Sequence, residues 1–509
     1  MHADSPPAPN TKTDLHPVGR FHSLLRYALK LHSTGAFDQA IKHYRAALVL
    51  QPHHGAIHQA LAYLYQVRGD YENGVHHYRQ ALRHCEESEF LYNGLGICLE
   101  GTGRHEEAER CFRMATEIRQ DYAEAWNNHG NLCRRLGDYG TALSSLSKAI
   151  RLLPKPPVYG NMALLLQETQ RGREALAHFD RALARRPDQP QLQWNRSLTL
   201  LTHEQFENGW PAYEWGAKAG QRPSRNLPFA RWQGEDLSHK RIVVLAEQGL
   251  GDEIMFGTCL PDIMAEAGHC IIETDRRLLP IYRRSFSGAT VIARGNSDHR
   301  LSALYAPDYH VPVGSLPLYL RPDSRSFPRQ HQLLYAEPLQ RNKWRQRLDT
   351  LGEGLKVGIS WEGGLADEGA KRSTCLRDWR PLLNQPGCHF INLQYRCQRR
   401  QVDELNRLLG IRLHDWPDTD HYQNIESLAG LIGELDLVIS VSNATVHLAG
   451  ALGAPTWTLV PFNTNWRWFQ RRSDSLWYGS MRLFRQSRPG DWPGVLREVK
   501  EALEKRLSK

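Results

Sequence analysis

The richest chemistry in the chain sits where an apolar, β-branched stretch, Asp436–Val441, runs into Ser442, Asn443, Ala444 and Thr445, with His447 one turn later. Ser442 and Asn443 are cap-type residues, so a helix is expected to open there. Gly453 and Pro455 close it about three turns on. A helix that starts at the end of a buried parallel strand aims free backbone N–H groups and its positive dipole end outward, which suits a phosphate. Ser442, Asn443, Ala444, Thr445 and His447 are therefore expected to cradle a phosphate-bearing ligand.

Three other groups could join that chemistry. Lys371, Arg372 and Ser373 follow the glycine-bearing phrase Ser360–Gly364; two cations and a hydroxyl beyond a strand end suit a diphosphate, or else mark a solvated loop. Asp252 follows Gly249-Leu250-Gly251 at a helix start, where it is either a helix cap and dipole partner or a general base. That loop lacks the third glycine of the dinucleotide fingerprint, because Met255 and Phe256 stand where it would be. Gln394 and Tyr395 end another strand, where they would border a nucleotide base. Asp418 and Asp420 form a D-x-D pair that could suggest a metal, but their proline-bearing loop favours turn and cap roles. No metal and no resident cofactor are expected.

These residues need elements to hold them. A chain of 509 residues exceeds one core, so two or three domains are expected. Its 41% hydrophobic and 23% charged residues are those of a folded globular chain. The net charge of +9 is dispersed among acidic residues, and no run of five like charges occurs, which argues against a nucleic-acid footprint. Trp466, Arg467 and Trp468 mix aromatic and basic character over too short a stretch to track a single strand. Nine cysteines show no C-x-x-C pair, consistent with a reducing compartment. With no apolar leader and no long apolar run, a cytoplasmic location is expected.

After Lys240, strand and helix patterns alternate. Expected strands are Arg241–Glu247, Cys270–Thr274, Thr290–Ala293, Lys356–Trp361, Phe390–Gln394, Ile411–His414, Asp436–Val441 and Thr456–Val460. They imply parallel sheets in two Rossmann-like halves, residues 239–350 and 351–509, with ligands in the crevice at the strand ends. The amphipathic final helix, Trp492–Leu507, is placed to return to the first half. Residues 190–238 are expected to be a capping helix, with Phe206, Trp210, Tyr213 and Trp215 as its seal, followed by a linker. Residues 1–20 are expected to be a disordered tail.

Residues 21–189 repeat. Gly35, Gly69, Gly103 and Gly137 stand 34 residues apart. Each is followed by an aromatic or Leu (Tyr44, Tyr78, Phe112, Leu146) and then by Ala47, Ala81, Ala115 or Ala149. A fifth unit carries Ala175, Phe179, Ala182 and Pro187. This pattern resembles the tetratricopeptide repeat, an α solenoid whose concave face binds peptide or protein. Asn128, Asn161 and Asn195 are read at the same position of the first helix in successive units. They either hold a peptide backbone or cap or bridge neighbouring repeats. As a ladder they resemble that of the protein O-GlcNAc transferases.

The phrases GWPAYEW, AEQGLGDEIMF, VPVGSLPLYL, VGISWEGG, KRSTCLRDWRPLL, FINLQY, LDLVISVSNATVHLAGALGAPTW, WRW and DSLWYGSMRLFRQ occur in that order. As a set they resemble bacterial proteins that join tetratricopeptide repeats to a GT-B glycosyltransferase domain akin to ADP-heptose:lipopolysaccharide heptosyltransferases. The resemblance implies an α solenoid followed by an α/β GT-B fold. It also implies inverting, metal-independent sugar transfer from a nucleotide-sugar, with Asp252 as the matching catalytic base and Lys371 or Arg372 as the matching phosphate ligand. The heptosyltransferase phrase D-T-x-x-x-H reads here from Ser442 to His447, so the acidic donor contact is replaced by Ser442. The preferred reading is transfer to protein Ser/Thr hydroxyls, with surface-protein subunits such as flagellin as acceptors by analogy. A repeat scaffold with an inactive domain and a lipopolysaccharide sugar transferase are the alternatives.

Overall fold

The structure is a computed structural model that describes residues 17–295, 298–327, 332–364, 369, 372–395, 399–463 and 465–508. The chain forms two compact units, one of residues up to Thr169 with Asp180–Arg185, the other of Gln170–Phe179 with Arg186 onward. No helix among the described residues is long and apolar enough to cross a membrane.

The first unit is built from antiparallel helix pairs: α1 (Pro17–Ser33) with α2 (Phe37–Leu50), α3 (Gly55–Val67) with α4 (Tyr71–His84), α5 (Glu89–Gly101) with α6 (His105–Ile118), and α7 (Ala123–Leu136) with α8 (Tyr139–Leu152). The α9 (Pro156–Glu168) and α10 (Gly172–Leu183) helices follow. Within each of the first four pairs the chain turns at a glycine in the left-handed region: Gly35, Gly69, Gly103 and Gly137 have φ of 79°, 74°, 79° and 83°. Tyr44, Tyr78, Phe112 and Leu146 are buried between the helices. At Gly96 an added Cβ would lie 2.6 Å from the Phe112 ring, so the first helix must be small there. Pro17–Arg20 belong to α1 rather than to a tail; residues 1–16 lie outside the described ones.

The expected cap is a further helix pair, α11 (Pro190–Thr202) and α12 (Phe206–Tyr213). It escaped the glycine pattern because Gln170 (φ 60°) and Glu204 (φ 58°), 34 residues apart, take the left-handed turns that glycines take earlier. The α12 aromatics do seal against the α/β region. The Trp466 ring centroid lies 5.7 Å from Trp210, 5.5 Å from Tyr213 and 6.0 Å from Phe256. Such pairs contribute about 0.5–1.5 kcal/mol each beyond burial. Trp215 stands apart, under the Lys218 ammonium.

The second unit holds two all-parallel sheets, an α/β arrangement. The first comprises β1 (Ala230–Arg231), β2 (Arg241–Leu245), β3 (His269–Thr274), β4 (Thr290–Ala293) and β5 (Tyr309–Pro312), in the order β1-β5-β2-β3-β4. The second comprises β6 (Leu355–Ser360), β7 (Cys388–Asn392), β8 (Leu413–His414), β9 (Leu437–Val441), β10 (Thr456–Val460) and β11 (Met481–Arg485), in the order β11-β10-β9-β6-β7-β8. Strands β9 and β10 are buried throughout, as a sheet covered on both faces requires. The order of succession reverses between β2 and β5 in one sheet and between β6 and β9 in the other; crevices open at such switch points.

Three strands go beyond the expected set. β1 is two residues long inside the presumed linker, β5 ends on a proline, and β11 is an edge strand carrying Arg482 and Arg485. The helix Trp492–Leu507 does not return to the first half. Val495, Leu496, Val499 and Leu503 pack with Trp379, Leu382 and Leu383 of the second half. The β11–helix connection is too short to carry that apolar face elsewhere.

Candidate functional site

The site forms at the β6/β9 switch point. Beyond β9, helix Ala444–Ala451 starts with Asn443 as its N-cap, as expected. The Asn443 carboxamide ties the crevice together. Its Oδ1 accepts from Thr445 N (2.9 Å), and its Nδ2 donates to Ser360 Oγ (2.8 Å) and to the Glu362 carbonyl (3.0 Å). One amide of the first turn is thus satisfied internally.

A cavity of about 250 Å³ opens at this helix start, lined by Gly251, Asp252, Gly364, Arg372, Tyr395 and the Ser442–Ala444 turn, with His447, Asn465 and Arg467. It brings together Asp252, Arg372, Tyr395, Ser442, Asn443, Ala444 and His447, which lie far apart in the chain. Thr445 lines the adjoining cavity instead. Gln394 and Ser373 line neither. The Gln394 oxygen accepts from Ser360 Oγ (2.9 Å), Trp361 N (3.0 Å) and Glu362 N (2.9 Å), so it shapes the loop from behind. Ser373 Oγ accepts from Gly363 N (2.9 Å) and donates to the Gly369 carbonyl (2.8 Å), which pins the same loop. Lys371 lies outside the described residues.

Asp252 is not the N-cap, which is Gly249, but the acidic residue of the first turn, where it faces the positive end of the helix dipole. It sits in the first turn of helix Leu250–Phe256, and its Oδ2 accepts from Gly249 N at 3.4 Å. Its Oδ1 accepts from Arg467 Nε (2.8 Å) and also from Nη2. The left-handed residue of this loop is Gln248 (φ 60°), not a glycine; its Nε2 donates to Tyr213 Oη at 2.9 Å. Gly251 is needed for a different reason: a Cβ there would lie 3.0 Å from the His447 ring.

Arg467 is the residue that sequence reasoning missed, although Trp466-Arg467-Trp468 had signalled it. Asn465 Oδ1 accepts from Arg467 Nη1 (2.8 Å), the guanidinium lies over the Trp466 ring (4.8 Å), and the Trp477 indole donates to the Arg467 carbonyl (3.1 Å). Trp468 Nε1 donates to Ser442 Oγ at 2.6 Å, so an indole occupies the Ser442 hydroxyl. His447 stacks on Trp468 (5.1 Å between centroids) and shares a hydrogen bond with Tyr478 Oη (3.0 Å). Burial, reinforced by Arg467 and Arg372, pushes the His447 imidazole down to about 3 against the pull of Asp252. The ring is therefore neutral, and the cavity's cations are arginines.

Neither aspartate of the D-x-D pair is arranged for a metal. Asp418 pairs with Arg347 (2.6 Å) and Lys343 (3.3 Å), and Asp420 Oδ1 accepts from Tyr422 N and Gln423 N, both at 2.9 Å. Among the described residues no group of three or more His, Cys, Asp or Glu could hold a metal ion.

In the repeats, the asparagines bond to one another. Asn161 Nδ2 donates to Asn127 Oδ1 (2.9 Å), and Asn128 Nδ2 donates to Asn93 Oδ1 (3.0 Å). The register of 34 runs through Asn93, Asn127, Asn161 and Asn195, so Asn128 stands one residue out of step. Of the two expected roles, inter-repeat bridging is the one observed for Asn128 and Asn161. Asn195 Oδ1 accepts from Gln191 Nε2 (3.0 Å) within α11.

Tetratricopeptide-repeat models match residues 53–121, 123–156 and 161–214, the last extending over α11 and α12. Repeats of this kind mark a protein-interaction region. Over 500 residues the chain is 30% identical to Protein FlbA of Caulobacter vibrioides, covering 94% of this chain and 83% of that protein. Among solved structures, it is similar to the tetratricopeptide-repeat proteins YrrB (22% identical, 34% of this chain and 91% of that one, TM-score 0.31) and TTC0263 of Thermus thermophilus (22%, 36% and 99%, TM-score 0.30).

Proposed function

This chain belongs to the family of Protein FlbA, and we propose that it is a GT-B glycosyltransferase that moves a sugar from a nucleotide-sugar to Ser/Thr hydroxyls of a protein bound by its repeats. The observation that carries this reading is the convergence of Asp252, Arg372, Arg467 and the Asn443-capped helix start on one cavity at a sheet switch point. Such a crevice at the strand ends is where parallel α/β sheets bind phosphate-bearing ligands.

The acceptor oxygen attacks the anomeric carbon from the side opposite the diphosphate. Asp252 takes the hydroxyl proton, and the carbon–oxygen bond to the diphosphate breaks with its electron pair leaving on the phosphate. Negative charge grows on that leaving group, and fixed cations are most useful there. Arg372, Arg467 and the positive end of helix Ala444–Ala451 supply it. Arg467 has a second task. It holds Asp252 until the diphosphate competes for its guanidinium, which frees the carboxylate beside the acceptor. The mechanism has no metal step, and a cytoplasmic location gives access to nucleotide-sugars.

The alternative is a repeat scaffold with a silent domain. Two features favour it: Ser442 is taken by Trp468, and Asp252 is taken by Arg467. Release of nucleoside diphosphate from a panel of nucleotide-sugars, with and without acceptor proteins, separates the readings. Transfer that falls by about 10²-fold or more in Asp252→Asn supports the base role. An unchanged rate in a folded variant removes Asp252 from it, and release from no donor leaves the scaffold.

A further inference from the structure

We propose that a cavity walled by the turns at Gln170 and Glu204 and by Gln470 and Arg471 is an anion site, in which Arg173, Arg471 and His203 hold phosphate, free or as the ester of a small molecule. The proposal does not rest on the transferase reading, because none of these residues lines the cradle.

The cavity measures about 500 Å³ and lies wholly within the second unit; its walls are residues 170–174, 202–205, 470 and 471. The three segments are tied together before any ligand arrives. Gln170 Nε2 donates to the Phe462 carbonyl (2.8 Å), Gln470 Nε2 to the Gln170 carbonyl (3.1 Å) and Gln470 N to the Thr202 carbonyl (3.1 Å). Such a frame lowers the ordering cost of binding.

The repeats themselves supply the reference for what is unusual here. The second helix of a pair begins with Phe37-Asp38, Tyr71-Glu72, His105-Glu106 or Phe206-Glu207, and α8 begins with Tyr139-Gly140. The α10 helix begins instead with Gly172-Arg173. Both departures shape the cavity. Gly172 makes room for the His203 ring, since a Cβ there would lie 1.5 Å from His203 Nε2. Arg173 puts a cation in the first turn, where the helix dipole is already positive and the other repeats place Asp or Glu. A residue that opposes a local preference marks a functional position when nothing nearby compensates it. Among the described residues neither Arg173 nor Arg471 has a hydrogen-bond or ion-pair partner. The cavity's two carboxylates are engaged elsewhere. Glu174 is held by Arg171 Nε (2.7 Å) and Nη2 (2.6 Å), and Glu204 by Arg472 (3.3 Å).

Burial, followed by the charges of Arg471 and Arg173, holds the His203 imidazole below its usual pKa, so at neutral pH it offers an N–H rather than a charge. Two guanidinium groups and one imidazole at separate walls suit a tetrahedral oxyanion. A planar carboxylate would be satisfied by one guanidinium fork. The volume exceeds that of one phosphate and leaves space for the body of an ester.

The test titrates the full chain by calorimetry with inorganic phosphate, glycerol phosphate and glycerol, in the Arg372→Gln form so that the cradle contributes little. Phosphate and its ester are expected to bind and glycerol is not. Tighter binding of the ester assigns a phosphorylated small molecule; equal affinities assign free phosphate. Adding Arg173→Glu or Arg471→Gln should weaken both ligands about tenfold or more. Without phosphate, Arg173→Glu should raise the unfolding temperature, because it restores the acidic residue of the other repeats. Gain of stability with loss of ligand is a pairing that a structural role for Arg173 would not produce. The proposal is overturned if neither phosphate ligand binds, if both added variants bind phosphate as their parent does, or if Arg173→Glu lowers the unfolding temperature. A glutamate-rich peptide that binds where phosphate does not would overturn it in favour of an acidic protein partner.

Discussion

The two parallel sheets of the second unit have equivalent switch points and opposite contents. At the β2/β5 switch the crevice is narrowed to about 90 Å³ and lined by the protein's own paired charges. Buried Arg222 donates to Glu247 Oε1 (2.9 Å), to Glu214 Oε1 (2.9 Å) and to Ser315 Oγ (2.7 Å), and Gly314 N donates to Glu247 (3.0 Å). Arg225 pairs with buried Glu273 just beyond (2.8 Å). At the β6/β9 switch, among the described residues, Arg372 and Arg467 share a cavity with Asp252. One fold element thus serves twice. Where charge is matched and buried, the crevice is part of the core. Where arginines line a void, the proposed function puts an anion.

The largest expected effect breaks the paired crevice. Arg222→Met leaves buried Glu247 without its cation, while Glu214 keeps Arg231, and should cost about 3–5 kcal/mol of stability, read as a lowered denaturant midpoint. A loss under about 1 kcal/mol would mean that the cluster is hydrated and the contrast false.

Next is Glu253, which joins helix Leu250–Phe256 to the end of β3 through Thr274 Oγ1 (3.0 Å) and Asp275 N (2.9 Å). Burial, opposed by those hydrogen bonds, raises its carboxyl from 4.5 to about 7. The folded chain therefore keeps a proton that the unfolded chain releases, and this contribution to stability is full below about 4.5 and fades as pH climbs through 7. Glu253→Gln should remove that slope and gain on the order of 2–3 kcal/mol over the wild type at pH 8 relative to pH 4. Parallel stability curves would contradict it.

The open crevice should respond in the opposite sense to the paired one. Arg372→Gln is expected to change stability by less than about 1 kcal/mol while weakening pyrophosphate about tenfold or more, measured on the same preparation. A destabilised variant with unchanged affinity would put Arg372 in the structural class of Arg222.

The smallest effect lies in the repeats. Asn127→Ala deletes the acceptor for Asn161 and should cost about 1 kcal/mol in unfolding experiments.

What could be read from the sequence follows from where the information resides. The repeats and most strands were legible because period and β-branched runs are local properties. The Asn443 helix start was legible for the same reason, since a cap residue after a buried strand has few other uses. Asp252 and Arg372 were legible as candidates, but not their neighbours. Arg467 reaches Asp252 across 215 residues, and no local pattern encodes such a pairing. That Gln394 turns its oxygen to Ser360, Trp361 and Glu362 is not legible, because the direction of a side chain at a strand end depends on the loop opposite. The sixth helix pair was hidden by a residue substitution, since Glu204 adopts a conformation usually left to glycine. The asparagine ladder is displaced by one residue at Asn128: the 34-residue register passes through Asn127, which accepts from Asn161.

The account turns on whether the open crevice performs transfer onto a protein. The most direct measurement is the intact mass of candidate acceptor proteins co-expressed with the wild-type chain, with its Asp252→Asn form and without it. The account predicts added mass in whole sugar units with the wild type alone. Identical acceptor masses in all three cultures would contradict it.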